Sequence, residues 1–360
     1  MMLFTSVRCG VTKAGDISGT PAAKRPWRGP TIAEIARESG VGSATVDRVV
    51  NGRDNVRGAT AARVLAAIAR LREPEGSADR PAPRRIAFIC DCGVSFSQTL
   101  ESAVQEFVKD DAGVTCEFAS VPTWKFDAVK MANAIERAAG EADALVLVAR
   151  EDLTVNRAVR AVVARNVPVI CLTTDLPTIG RHAFVGSDPT SAGTTAAFLL
   201  GQVIGEREGK VLLVYSAPYR VQEERELGFR RVLRAEFPGL AVDERVNSND
   251  DSEFVYRNVL RYVEEHGPPA GIYNIAAGNI GVGKALTELG LVGTTVFIGH
   301  ELNPNSRHLL ETGVMTFAIG HDVELEVETA IGHCLALLGT PTQPPPPLTR
   351  VRVYTKYNCT

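Results

Sequence analysis

Apolar positions along the chain follow two different rhythms. Between Thr31 and Leu71 they recur at helical spacing in short bursts. Thr31-Ile32-Ala33-Glu34 fits a capping box, so a first helix is expected from there to Ser39, with Gly40 ending it. Ser43 to Val50 predicts a second helix with Val46, Val49 and Val50 inward, stopping at Asn51-Gly52. A third, about Thr60 to Leu71, sets Val64, Leu65, Ile68 and Leu71 on one face. Past residue 85 the rhythm changes to short apolar runs, each mostly followed by a helical stretch: RRIAFIC, VTCEFA, ADALVLVA, VPVICL, HAFVG, KVLLVYS, GIYNI and TTVFIGH. That alternation predicts parallel sheets covered by helices. A last strand is expected at 350–357, after a proline-rich stretch.

The breaks between these patterns divide the chain. Residues 1–29 lack apolar periodicity and contain Pro21, Pro26 and Gly29, which reads as a flexible extension or as sequence ahead of the true start. Residues 30–72 form an all-α head. Residues 73–84, rich in Pro, Gly and charge, read as a linker. Residues 85–360 form an α/β body, and a length of 360 residues suits two or three domains.

Charge changes the picture of the head. Lys24 to Arg72 holds ten Lys and Arg against Glu34, Glu38, Asp47 and Asp54, a local balance of +6. With −3 overall, the remainder carries −9. A compact basic segment on an acidic protein is the footprint of a module that meets phosphates. Two short helices joined by a tight glycine-containing turn make a helix-turn-helix, whose second helix enters the DNA major groove.

Other chemistry is weaker. The seven cysteines are odd in number and scattered, which argues for reduced thiols, and Cys90-Asp91-Cys92 lacks a partner pair at zinc spacing, so no metal and no cofactor are expected. No apolar run approaches bilayer length and the opening residues do not resemble a signal peptide, so a cytoplasmic, nucleoid-associated protein is expected. Gly278-Asn-Ile-Gly-Val-Gly283-Lys284 nearly spells a phosphate-binding loop, but position 285 is alanine where magnesium needs a hydroxyl. Glycines packing a helix onto a sheet explain the run without nucleotide, and no enzyme activity is expected. A transport-type binding protein is a rival for the body alone.

TIAEIARESGVGSATVDRVVNG resembles the DNA-binding segment of the LacI/GalR transcription regulators, commonly V-S-x-x-T-V-S-R-V-L-N, through Val41, Thr45, Val46, Arg48, Val49, Asn51 and Gly52. By position, Ser43, Ala44 and Arg48 face base edges, with the Arg48 fork suited to guanine. Thr45, Arg53 and Arg57 hold phosphates, and Thr31, Asp47 and Asn51 complete the set. Gly42 and Asp47 replace small hydroxyl residues, so the Asp47 carboxylate would shape specificity by repulsion. The linker lacks the family's Tyr-x-Pro-Asn-x-x-Ala-Arg sequence and the leucine that wedges into the minor groove.

The body resembles the same family's core more loosely. This implies two doubly wound parallel-sheet lobes of periplasmic-binding-protein type I, joined by three crossovers, with a ligand between them. The candidate ligand residues are Asp91, Phe96, Gln98, Asp175, Arg225, Asn274, Asn279, Glu301 and His321. Arg225-x-x-Gly228-Phe229 matches where relatives place an arginine for ring hydroxyls; a surface salt bridge to Glu223 or Glu224 is the alternative. Phe96 stacks on a sugar or is plain core. Asp175 follows VPVICLTT, where relatives place an acidic ligand. Asn274 and Asn279 follow GIYNI. Glu301 stands in Gly299-His300-Glu301, the family's Gly-Phe-Asp, and His321 replaces a common Gln or Asp. Trp124 reaches the cleft or anchors a loop. The resemblance implies a DNA-binding repressor controlled by a sugar, polyol or sugar acid, acting as a homodimer or tetramer on a pseudopalindromic double-stranded operator.

Overall fold

Short helices persist where their ends are satisfied, and the head supplies those ends. The computed structural model describes residues 3–7, 30–51, 56, 58–72, 82–111 and 113–359. It opens with strand β1 (Leu3–Val7), followed by α1 (Ile32–Ser39), α2 (Ser43–Val50) and α3 (Gly58–Arg72). The Thr31 amide and hydroxyl both donate to Glu34 Oε2 at 2.7 Å, and the Glu34 amide donates back at 3.3 Å. Gly40 closes α1 in the left-handed region at φ 62°, and Arg63 donates to the Ser39 carbonyl at 2.8 Å, filling an acceptor that the helix end leaves open. Ile35, Val46, Val64 and Ala67 form the head's core. Val50 and Leu65, expected inside, are 48% and 58% exposed. Leu65 lies about 100° round α3 from Val64, and Val50 is the last residue of α2.

The body alternates strand and helix. In order come β2 (Arg84–Asp91), α4 (Val94–Asp110), β3 (Val114–Val121), α5 (Ala128–Glu141), β4 (Ala144–Val148), α6 (Leu153–Ala164), β5 (Val169–Leu172) and β6 (Ala183–Ser187). Then follow α7 (Pro189–Ile204), β7 (Gly209–Tyr215), α8 (Arg220–Glu236), β8 (Leu240–Asn247), α9 (Ser252–His266), β9 (Gly271–Asn274), α10 (Asn279–Glu288), β10 (Val296–His300), α11 (Pro304–Glu311) and β11 (Phe317–Gly320). The chain ends with α12 (Val323–Leu337), β12 (Leu348–Thr349) and β13 (Arg352–Tyr354).

The strands assemble two sheets, β1-β3-β2-β4-β5-β6-β12 and β13-β11-β10-β9-β7-β8. Both are parallel except for β1 and β13, which pair antiparallel at an edge. Central strands such as β4, ALVLV, are buried throughout, as strands covered on both faces must be. The chain passes between the lobes three times: at Asp188 after β6, at His321-Asp322 after β11, and at Arg350-Val351 after β12. Helix α12 buries Val327, Ala330, Ile331 and Cys334 in the first lobe, whereas α7 buries Ala192, Ala196 and Leu200 in the second.

Two further expectations change. Leu3–Val7 is an edge strand on β3 rather than part of a featureless extension; its β-prone LFTSV run finds the outer edge of β3 to pair with. The C-terminal strand is only Arg352–Tyr354, because Asn358 folds the chain back by donating to the Val353 carbonyl and accepting from the Thr355 amide. The phosphate-loop-like run is packing: a Cβ on Gly281 would stand 2.0 Å from the Ser252 carbonyl oxygen. Lys284 there faces Glu253 at 3.4 Å and the Tyr256 ring at 3.8 Å. Cys90, Cys92, Cys116, Cys171, Cys334 and Cys359 are buried unpaired thiols, and burial pushes Cys116 and Cys171 up to about 12. Among the described residues, no helix is long and apolar enough to cross a membrane.

Helices α7 and α8 touch backbone to backbone. A Cβ on Gly193 would stand 1.9 Å from the Arg225 carbonyl oxygen, and one on Gly228 would stand 2.5 Å from that of Thr190. Gly193→Ala is therefore expected to lower stability by about 1–3 kcal/mol through overpacking, with a Tm drop of roughly 2–4 °C per kcal/mol. Gly140→Ala, in α5 with open space around it, should instead gain about 0.5–1 kcal/mol. Thermal melts of the two variants check the contrast, and equal melting temperatures would refute the close contact.

Candidate functional site

In open parallel sheets the carboxyl ends of the strands leave a crevice for ligands. Here the ends of both sheets face one cleft of about 370 Å³ between the lobes. One wall comes from Asp91 at the end of β2, from Phe96 and Gln98 in the first turns of α4, and from Thr173 and Thr174 after β5. The other comes from Tyr219 and Arg225 on α8 or just before it, Asp250 after β8, Asn279 after β9, and His300 and Glu301 after β10.

The backbone at this cleft is unusual. Thr173, Asn249, Asp250 and Glu301 take φ of 63°, 51°, 53° and 68°. For a β-branched residue such as Thr173 that is a genuine outlier, and such conformations persist only where the surroundings enforce them.

Arg225 projects from α8 into the cleft, 6% exposed. It donates from Nη1 to the Ile275 carbonyl at 3.2 Å, while Nη2 lies 3.7 Å from Glu301 Oε1. Its Nε is buried with no partner within the protein. Glu301 also meets His321 Nε2 at 3.1 Å. Burial favours a neutral Glu301, but His321 and Arg225 outweigh it and hold the carboxyl below its ordinary range. His300 is different: burial, then Arg225 and His321, push it well below the usual histidine range. Its neutral ring meets the Tyr273 hydroxyl at 2.8 Å.

Opposite these groups, a polar network joins the lobes. Asp91 is fully buried and bidentate with Arg150, at 2.6 and 2.8 Å, and accepts from the Tyr219 hydroxyl at 2.9 Å. The Thr123 hydroxyl, after β3, donates to Asp250 at 2.6 Å and lies 3.1 Å from the Tyr219 oxygen. Asp91, Thr123 and Arg150 belong to the first lobe, Tyr219 and Asp250 to the second. Burial raises Asp250, against the donors Thr123, Ala277 and Ser216; burial and Asp91 raise Tyr219, whose hydroxyl stays a donor.

The candidate residues thus sort by place. Asp91, Phe96, Gln98, Arg225, Asn279 and Glu301 line the cleft, and so does Trp124, which is 40% exposed. Asn274 and His321 stand behind it. Asn274 donates to Asn279 Oδ1 at 2.7 Å and accepts from the Ala276 amide at 3.1 Å, so it shapes the loop. Asp175 is a correction. Strand β5 ends at Leu172, so the first residues past it, Thr173 and Thr174, face the cleft, and Asp175 closes a bidentate pair with Arg181 at 2.5 and 2.6 Å. Arg150, Tyr219, Thr123 and Asp250 escaped the sequence reading because each takes its role from a partner on another element.

In the head, Ser43, Ala44 and Arg48 are exposed on α2, the last two one turn apart, while Thr45 is half-buried. Asn51 donates to the Asp47 carboxylate at 2.8 Å and to its carbonyl at 2.9 Å, which holds that carboxylate along the helix. The Thr31 hydroxyl is taken up by the capping box. Arg53 and Arg57 lie outside the described residues.

Comparison with known proteins matches residues 31–72 to the family described as bacterial regulatory proteins, lacI family, and residues 86–340 to the periplasmic binding protein domain. No curated protein matches the chain in sequence. Solved structures share the body's fold. GanP, a glucose-galactose binding protein from Geobacillus stearothermophilus, is 17% identical with a TM-score of 0.69, over 77% of this chain and 99% of its own. An ABC transporter solute binding protein from Agrobacterium vitis with bound D-fucose is 22% identical with a TM-score of 0.70, over 76% and 96%. Another from Burkholderia graminis, in complex with D-arabinose, is 22% identical with a TM-score of 0.71, over 78% and 97%. The fused head and body place this chain in the lacI family of bacterial regulatory proteins, a DNA-binding regulator whose body is a periplasmic binding protein domain.

Proposed function

We propose that the chain is a transcriptional repressor whose operator affinity is set by a small, uncharged, polyhydroxylated effector bound between the two lobes. The observation that carries this reading is the Arg225–Glu301 arrangement: a buried guanidinium with a free Nε beside an ionised carboxylate, in a cleft both lobes line. Guanidinium donors and carboxylate acceptors suit neighbouring hydroxyls. A volume near 370 Å³ is at the small end of ligand pockets, roughly 300–1,000 Å³. The likeness to structures solved with D-fucose and D-arabinose supports the same class.

Charge narrows the ligand further. Asp91, Asp250, Asp251 and Glu301 line the cleft, against the single guanidinium of Arg225 and a neutral His300. Arg150, just behind, is already bound to Asp91. A sugar acid would bring another carboxylate to a lining whose one cation, Arg225, already faces Glu301, which favours an uncharged ligand. In this reading Asp91 serves mainly as an interlobe anchor, Phe96 supplies an apolar face, and Gln98, Asn279 and Glu301 supply polar contacts. Effector binding changes lobe closure, and the head responds as part of a homodimer on a pseudopalindromic site. Such coupling exists only if the two states differ in DNA affinity. The chain acts as a binder; no reaction is assigned to it.

Two outcomes are expected. With an operator selected from random duplexes, Arg48→Ala should cost about 1–3 kcal/mol of discrimination and leave affinity for random DNA nearly unchanged. Gel-shift titration against both duplexes reads this, and retained discrimination would remove Arg48 from base readout. In a thermal-shift screen, an uncharged pentose, hexose or polyol at about 100 times its Kd should add roughly 2.7 kcal/mol, while the matching aldonic and uronic acids add none. Arg225→Ala should abolish the shift. Stabilisation by acids alone would overturn the uncharged-ligand assignment.

A further inference from the structure

His321 lies outside the cleft yet touches Glu301, which lines it, and its other ring nitrogen meets a residue that the effector reading does not use. Nδ1 stands 2.8 Å from Glu326 Oε2, an ion-pair distance whose angle falls short of a hydrogen bond. Glu326, on α12, is 1% exposed, and its other oxygen accepts from the Thr349 hydroxyl at 2.5 Å. The result is one line, Thr349, Glu326, His321, Glu301, with Arg225 at its cleft end and Glu326 and His321 buried at its centre. His321 occupies the second crossing between the lobes, and Thr349 is the last residue before the third. Asp322 and Arg352, an ion pair, tie the same two crossings together.

We propose that Glu326 is a positioning residue for effector binding, which acts through His321 to hold Glu301 ionised and aimed for the ligand's hydroxyls, with Thr349 fixing Glu326 in turn. This rests on the effector reading above. The imidazole is 2% exposed between two carboxylates, and an uncompensated charge there would be strongly unfavourable. With both carboxylates present, each ring nitrogen faces a carboxylate oxygen, Glu301 at 3.1 Å and Glu326 at 2.8 Å. Burial opposes the charge on His321, but Glu301 and Glu326 together hold its pKa well above the ordinary value. The groups that face it are Glu301 and His300 from β10 and the residue after it, Arg225 from α8 behind Glu301, Glu326 from α12, and the Asp322–Arg352 pair on its own crossing and β13. The Phe96 ring covers one side at 6.1 Å.

The sign follows. A raised folded pKa means the stabilising charge is fully present below the unfolded value near 6.5 and lost only as pH rises through the folded one. Removing one carboxylate brings that loss down toward neutrality.

Two measurements on the full-length protein test this. In wild-type protein labelled at histidine, nitrogen NMR at pH 7.5 should show His321 doubly protonated, assigned by its loss in His321→Gln; a neutral ring there overturns the proposal whether or not any sugar binds. By calorimetry with the uncharged sugar or polyol that gives the largest thermal shift, wild-type affinity should be flat from pH 6 to 8. Glu326→Gln should bind nearly as well at pH 6 and roughly tenfold more weakly at pH 8. Glu326→Asp, which keeps the charge, should restore most of the affinity at pH 8. Equal pH profiles for wild type and Glu326→Gln would refute the positioning role. Absence of binding by wild type, with His321 doubly protonated, would instead sink the effector reading and leave the ion cluster standing.

Discussion

A chain that passes three times between two sheets must bring its crossing segments, and their polar backbone groups, through the middle of the molecule. The rest of the body depends on how that is managed. The crossings at Asp188, His321-Asp322 and Arg350-Val351 fix which helix covers which lobe: α7 leaves the first sheet to bury its apolar face on the second, and α12 returns to the first. Because parallel strands of one sheet end together, the crossings also set the two rows of strand ends facing each other. The cleft is a consequence of the winding, and its polar lining follows from strand ends being where side chains can leave the apolar interior.

Side chains in such a place are buried and polar at once, which is expensive unless each finds a partner. The two halves of the cleft solve this differently. On one side Asp91, Arg150, Tyr219, Thr123 and Asp250 satisfy one another across the lobe boundary. A buried ion pair of this kind adds little net stability over an apolar replacement, but losing one partner leaves a stranded charge. It therefore specifies how the lobes meet more than how tightly. On the other side Arg225 and Glu301 keep hydrogen-bonding capacity in reserve, with Nε of Arg225 unpartnered. The satisfied half supplies geometry, and the unsatisfied half is the one to which the proposed function assigns recognition.

Legibility in the sequence tracks how local each cause is. The head could be read almost residue by residue because Thr31, Glu34 and Gly40 act within one turn of themselves, and α1 and α2 end where their caps say. In the body, continuous apolar runs identified the central strands, while β8, LAVDERVN, escaped because an edge strand carries polar residues along its length. Two-residue β12 offers too little pattern to find, and β11, FAIG, was missed although it is as long as β5 and β9. Residues that follow strand ends, such as Asn279 and Glu301, were legible, and Arg225, inside α8, was reached through the Arg-x-x-Gly-Phe resemblance. Asp175 was assigned to the cleft through the resemblance, although the VPVICL run marks the end of β5 at Leu172, and its partner Arg181, six positions on, holds it elsewhere. Arg150 and Tyr219 could not be found at all: their roles come from Asp91, 59 and 128 positions away.

The strained backbone connects these halves. Thr173, Asp250 and Glu301 come from three different strand ends in two lobes, and each takes a positive φ while lining the cleft. Strain of that kind costs of order 1–3 kcal/mol per residue and survives only if the frame is stiff. The frame here is stiff for identifiable reasons. Glycine contacts lock α7 to α8 beneath Arg225, the Ser306 hydroxyl donates to the Glu301 carbonyl at 2.6 Å, and the Ala277 amide donates to Asp250 at 2.9 Å. A ligand that engaged Arg225 and Glu301 would meet side chains already aimed, so little ordering entropy would be lost on binding. The free energy that orders the site is drawn from folding, so under the proposed function packing contacts beneath the cleft would bear on affinity without touching the ligand.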